Sequence, residues 1–162
     1  VPVADSVPGG LVDFVDRCLA SGVADHVLSR DDLLALAEQA QPVLDSLDDV
    51  GRLVHSDFNA KNLLVARDPD RWRVTAVLDW EFAFSGHPLV DVGNLLRFRD
   101  DHPPAFERGF LDGFVAHGGE LPDGWRAAAE ALDLFALADL LTRGPGSALF
   151  EPVVAVLNAR LA

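Results

Sequence analysis

The chain has 162 residues, with 13 basic and 26 acidic side chains and a formal charge of −13. That length suits one domain. With 49% apolar and 24% charged residues, the composition is that of a folded globular protein rather than a disordered one. The negative balance argues against nucleic acid and anionic membrane surfaces as partners, since both are held by clustered Lys and Arg.

Residues 1–10 (VPVADSVPGG) carry two prolines and two glycines and read as a tail or linker. From Leu11 to Ala20, apolar residues recur at helical spacing, with Leu11, Phe14, Val15 and Cys18 on one side. A second helix is predicted after Ser29, a candidate N-cap followed by Asp31 and Asp32 at the positive end of the helix dipole. Its stripe runs through Leu33, Leu36, Ala37, Ala40, Val43, Leu44 and Leu47, and Pro42 inside it predicts a kink or break.

The texture changes at Gly51. Leu53–His55, Asn62–Ala66 and Arg73–Trp80 are short apolar runs, and Arg67–Arg71 (RDPDR) is a turn between the last two. Those two runs predict a hairpin, and the alternation in Arg73–Trp80 suits a largely buried strand. From Pro88 onward the helical period returns. Stripes begin at Leu89, Phe106, Trp125 and Val153. The fold class is therefore α+β and mostly helical, with one small β-hairpin patch.

The lone Cys18 cannot form an internal disulfide. No apolar run approaches membrane-spanning length, and no signal-peptide pattern opens the chain, so it reads as cytoplasmic.

Polar residues interrupt the apolar runs at two places, LVHSDFNAKNLLV (residues 53–65) and VLDWEFAFSGHPLVD (residues 77–91). A carboxylate at the end of a strand is costly unless it is paired, hydrogen-bonded or bound to metal. Asp79 and Asn62 offer hard oxygen ligands of the kind Mg²⁺ takes. Asp57, five residues before Asn62, adds a second carboxylate. Phosphoryl transfer needs a carboxylate to orient a hydroxyl and oxygen ligands to hold Mg²⁺ on nucleotide phosphates. The His-x-Asp-x-x-x-x-Asn spacing, followed by a strand-end Asp, supplies these in order.

His55-Ser56-Asp57 through Asn62, then Leu78-Asp79-Trp80-Glu81, resembles the catalytic core of the aminoglycoside phosphotransferase and choline/fructosamine kinase-like superfamily, distant relatives of protein kinases. The resemblance is close over about residues 51–99. It implies that Asp57 is the catalytic base and that Asn62 and Asp79 hold Mg²⁺ and with it the ATP phosphates. By the same resemblance His55 braces the catalytic loop, and Asp91 ties that loop's backbone in place. Lys61 and Glu81 are further candidates for phosphate, metal or substrate contact. The family more often carries Gly where Ser56 stands. Trp80, Phe82 and Phe84 read as core rather than as an adenine shelf.

The resemblance also implies an organisation. Residues 1–162 would form one C-terminal lobe of a protein-kinase-like fold, helical over 11–50, with the catalytic loop and metal-binding segment in 51–99. A helical substrate-side subdomain would occupy 100–162. A glycine-rich hairpin and a strand lysine, which cover the nucleotide in such kinases, are not found, because no Lys precedes Lys61 and residues 1–50 read as helix. The expectation is an ATP-dependent small-molecule kinase lobe whose partners are the missing N-terminal lobe and a hydroxyl-bearing acceptor. The charge of −13 leans toward a cation or amino sugar as acceptor. A non-catalytic binding module and a metal-dependent phosphohydrolase are the alternatives.

Overall fold

The computed structural model describes residues 10–162. The reading of residues 1–10 as a tail lies outside them except at Gly10, which opens the first helix. Among the described residues no helix is long and apolar enough to cross a membrane.

Helix α1 spans Gly10–Leu19 and buries Leu11, Val15 and Leu19, a stripe at every fourth residue. Helix α2 (Arg30–Asp45) begins at Ser29, whose hydroxyl accepts the Asp32 N–H at 3.3 Å. Its Gln41 side chain accepts the Leu11 N–H at 2.8 Å and so satisfies a donor at the start of α1. The break expected at Pro42 does not occur, and α2 runs on to Asp45. Proline deprives only the Glu38 carbonyl of its helical partner, and exposed Glu38 leaves that carbonyl to water. The last turn is then closed by the Ser46 N–H and hydroxyl on the Val43 carbonyl.

Strand β1 (Arg52–Val54) pairs antiparallel with β4 (Phe84–Gly86), Leu53 opposite Ser85. Between them lies the expected hairpin of β2 (Leu63–Arg67) and β3 (Trp72–Val77). Its turn is closed by the Asp68 N–H on the Arg71 carbonyl at 2.8 Å. A bulge between Leu64 and Val65 shifts the register.

The strand expected to be buried is instead exposed along most of its length. Val74 is 51% and Trp72 67% accessible, and Leu64 and Val65 on β2 are about as open. Sequence alternation marks faces able to pack, and here no helix among the described residues covers the hairpin. Trp80 and Phe82, read as core, are also about half exposed, whereas Phe84 does pack against the core.

The core is helical. Helix α5 (Trp125–Leu141) is apolar on nearly every side and buries eleven residues, as a helix surrounded by others must. Around it lie α1, α2, α3 (Leu89–Leu96) and α6 (Phe150–Leu161), with α4 (Pro104–Ala116) at the edge. Helix α3 meets α5 at Gly93. A Cβ there would lie 2.4 Å from the Ala129 carbonyl oxygen, so only glycine permits this approach.

The same helices are tied by a buried ionic cluster. Asp133 of α5, fully buried, accepts from Arg97 Nη2 at 2.5 Å, Arg160 Nη2 at 3.0 Å and Asn94 Nδ2 at 3.1 Å. Two guanidiniums and an amide satisfy both carboxylate oxygens, which a buried charge requires. The cluster locks α3 against α5 and thereby fixes the base on which the β patch stands.

Candidate functional site

His55, Asp57, Asn62, Asp79 and Asp91 are assembled where the two small sheets meet the first turn of α3. Residues 55–57 leave the end of β1 and residues 78–83 lead into β4, so the β1–β4 pairing fixes both segments from one side. The β2–β3 hairpin fixes them from the other. Leu63 lies opposite Val77, and one residue further the Leu78 N–H donates to the Asn62 carbonyl at 2.8 Å. The base of the hairpin therefore brings the backbones of Asn62 and Asp79 to the same end.

Residue 56 takes a left-handed conformation, φ +69°. An L-residue pays about 1–2 kcal/mol for it, and glycine pays none. The turn lets two successive N–H groups meet one carboxylate. Asp91 Oδ2 accepts from His55 N at 2.8 Å and Asp91 Oδ1 from Ser56 N at 2.9 Å. Burial pushes the Asp91 carboxyl above the ordinary carboxylate range, and these two N–H bonds pull it part of the way back. Its place in the first turn of α3 adds the favourable end of the helix dipole.

His55 is almost wholly buried. Its Nε2 donates to the Leu78 carbonyl at 2.7 Å, and its Nδ1 accepts the Asp57 N–H at 3.3 Å. These partners assign the hydrogen to Nε2. The ring also lies 4.7 Å from the Trp80 ring, centroid to centroid. Both neighbours of Asp79 thus rest on the histidine that precedes Asp57 by two residues.

Asp57 is partly buried, and each of its carboxylate oxygens takes an amide. Asn59 Nδ2 donates to Oδ1 at 3.0 Å and Asn62 Nδ2 to Oδ2 at 3.1 Å. Because a carboxylate only accepts, the Asn62 amide nitrogen must face it, which turns Asn62 Oδ1 away from Asp57. No protein donor engages that oxygen among the described residues.

Asp79 caps a short 3-10 turn, Trp80–Phe82, in the left-handed conformation (φ +65°), with no side-chain capping bond to justify it. Its carboxylate is exposed and has no hydrogen bond or ion pair among the described residues. Asp enters the left-handed region more readily than most residues, but no local capping bond accounts for it here. Lys61 and Glu81 are exposed, and their charged ends likewise lack ion-pair partners among the described residues.

Two contributors were not anticipated from the sequence. Asn59 holds Asp57 and also caps the 3-10 turn Ala60–Asn62 by accepting the Lys61 N–H at 2.9 Å. Its signal was present: a short amide two residues after a carboxylate folds back on the local backbone. Phe58 carries the loop onto α4, with centroids 6.0 Å from the His55 ring and 6.2 Å from Phe110. One large apolar residue within a polar loop was the sign.

The donor set suits magnesium. Among the described residues no three His, Cys, Asp or Glu side chains cluster as a protein-only metal cage. A free carboxylate and a free amide oxygen, both hard, fit an ion that keeps several waters and shares phosphate oxygens. Elsewhere, burial and nearby Asp139 push the Cys18 thiol up to about 11, only partly offset by Arg17. It is not a nucleophile at neutral pH.

A model of the phosphotransferase enzyme family (APH) matches residues 10–131. Over 70 residues, 41% of this chain, the sequence is 39% identical to acyl-CoA dehydrogenase family member 11 of Gallus gallus, across 9% of that protein. The Mus musculus protein of the same name is 39% identical over 75 residues, again across 9% of its length. Among solved structures the chain is similar to a thermostable mutant of aminoglycoside phosphotransferase APH(4)-Ia in its apo form. That match has a TM-score of 0.56 and 26% identity, and it covers 93% of this chain and 51% of the other. The chain thus spans about a tenth of these curated relatives and half of that solved structure.

Proposed function

The chain belongs to the phosphotransferase enzyme family and has its kinase-like fold; from that premise we propose that it is the C-terminal lobe of an ATP-dependent kinase phosphorylating the hydroxyl group of a small molecule. The observation that carries the reading is the Asp57 carboxylate, gripped by two amides, one of which belongs to the residue paired across the hairpin base with the Asp79 segment.

In this reading Asp57 is the base. It accepts the proton of the acceptor hydroxyl and holds that oxygen in line with the γ-phosphorus of ATP. Asn62 Oδ1 and the Asp79 carboxylate would hold Mg²⁺. When bound, that ion neutralises charge on the nucleotide phosphates. His55 and Asp91 take no part in proton transfer. They fix the backbone of residues 55–57, His55 through Leu78 and Asp57, and Asp91 through two N–H groups. Lys61 and Glu81 stand at the exposed rim, available to phosphate and acceptor respectively. The net charge of −13 supports a cationic acceptor such as an amino sugar.

The lobe assignment draws support from the exposed apolar residues of the two small sheets, including Leu53 on β1 at 72% and Trp72 on β3 at 67% accessible. Soluble monomers rarely leave large contiguous apolar faces open. The half-length coverage of the solved phosphotransferase agrees. On this account residues 10–162 supply base and metal ligands, and a second lobe covers the nucleotide.

Calorimetry and a transfer assay test this. The chain alone should give weak or no heat with Mg-ATP. Label should pass from γ-labelled ATP to a hydroxyl acceptor once the nucleotide-covering lobe is supplied. Tight ATP binding by the chain alone would overturn the lobe reading. Phosphate release from a simple ester, with metal and no nucleotide, would overturn kinase chemistry in favour of hydrolysis.

A further inference from the structure

Asn59 is the one side chain in the loop whose three polar groups are all committed to fixed partners. Its Oδ1 accepts the Lys61 N–H at 2.9 Å. Its Nδ2 carries two hydrogens, and both point back at Asp57. One goes to the main-chain carbonyl at 3.0 Å and the other to carboxylate Oδ1 at 3.0 Å. The amide cannot be flipped, because a flip would set oxygen against carboxylate and N–H against N–H.

Asn62 repeats the same two-pronged grip from the other side, at 2.9 Å on the carbonyl and 3.1 Å on Oδ2. About its Cα–Cβ bond an aspartate ordinarily has three staggered wells to choose from. With one amide on each oxygen, rotation in either direction breaks a bond to a charged acceptor, the stronger kind of hydrogen bond. Each oxygen keeps a further lone pair free. If Asn62 also gives its Oδ1 to a metal, Asn59 is the brace that holds the carboxylate without a second duty toward the phosphates.

We infer that Asn59 is a positioning residue, whose amide locks the Asp57 carboxylate in one orientation. The use of that orientation, presenting a lone pair to the acceptor hydroxyl, rests on the phosphotransfer reading above. The orientation itself does not.

The test separates the lock from the cap. Asn59→Asp keeps an oxygen for the Lys61 N–H but replaces both amide hydrogens with negative charge. Asn59→Ala removes both functions. In the isotopically labelled chain, three-bond couplings across the Cα–Cβ bond of Asp57 report its rotamer, and exchange of the Lys61 amide hydrogen reports the cap. Wild type should show a single Asp57 rotamer and a protected Lys61 amide. Asn59→Asp should average the Asp57 couplings while Lys61 stays protected, and Asn59→Ala should lose both. Asn59→Ser, which also keeps a capping oxygen, takes the place of Asn59→Asp if the added charge prevents folding.

With the nucleotide-covering lobe supplied, kcat should fall about tenfold to a hundredfold, the size of one lost charge-assisted hydrogen bond, with the KM for ATP within about twofold. Asp57 couplings unchanged in both Asn59→Asp and Asn59→Ala would overturn the inference. If wild type transfers no phosphate to any hydroxyl, the phosphotransfer reading falls, and the couplings still decide what Asn59 does.

Discussion

Replacing Asp91 with alanine removes a single carboxylate and strands two donors. His55 N and Ser56 N, at 2.8 and 2.9 Å from it, have no other acceptor among the described residues. Each N–H left unsatisfied in a part-buried site costs about 1–3 kcal/mol. The gross loss is then roughly 2–6 kcal/mol, from the same principle applied twice. Against it stands the relief of no longer burying a carboxylate, the effect that lifts Asp91's own protonation range. A net destabilisation of about 2–4 kcal/mol follows. For a chain of 162 residues that is a fall in Tm of about 5–12 °C. Scanning calorimetry, with urea melts to show an unchanged m-value, measures it. Asp91→Asn keeps one acceptor and turns an amide against the other N–H, so it should cost about half as much. An Asp91→Ala protein within about 0.5 kcal/mol of wild type would refute the claim that this carboxylate holds the loop.

Asp91 also sets a pH dependence. Its folded carboxyl lies above the unfolded value of about 4, so the native state binds the proton more tightly. Its contribution to stability is therefore greatest below that value, falls as pH rises through the folded one, and is flat beyond. Urea melts of wild type against Asp91→Asn from pH 3.5 to 7 should show the difference in wild type's favour shrinking as pH rises. Gly93→Ala drives a Cβ to 2.4 Å from the Ala129 carbonyl oxygen, so α3 must lift from α5. A net loss of about 1–3 kcal/mol is expected in urea, despite alanine's better helix propensity. At Ser56, with φ +69°, glycine should match or exceed wild type by up to about 1 kcal/mol, and valine should fall below it in thermal melts.

Periodicity made the helices legible before any coordinates. Leu11, Val15 and Leu19 line one stripe, and Ser29 announces the start of α2. The hairpin was legible because RDPDR interrupts two apolar runs. The β1–β4 pairing was not, since three-residue strands thirty residues apart carry no period to detect. Alternation in β3 was misread as burial because a sequence shows which side chains can pack, not whether anything covers them. Trp80 and Phe82 went astray for the same reason. In the site, Asp57, Asn62 and Asp79 stood out by interrupting apolar runs. Asn59 and Phe58 did not, because their importance lies in where a short loop folds back. The left-handed turn at Ser56 gives a physical reason for the glycine the family more often carries there.

The central claim is that Asp57 serves as the base of a phosphoryl transfer. Single-turnover transfer of the γ-phosphoryl group from ATP, measured with the nucleotide-covering lobe supplied, compares wild type with Asp57→Asn. The side-chain amide is nearly isosteric and cannot accept the hydroxyl proton, so the rate should fall by about 10²–10⁴. A rate equal to that of wild type would contradict the account.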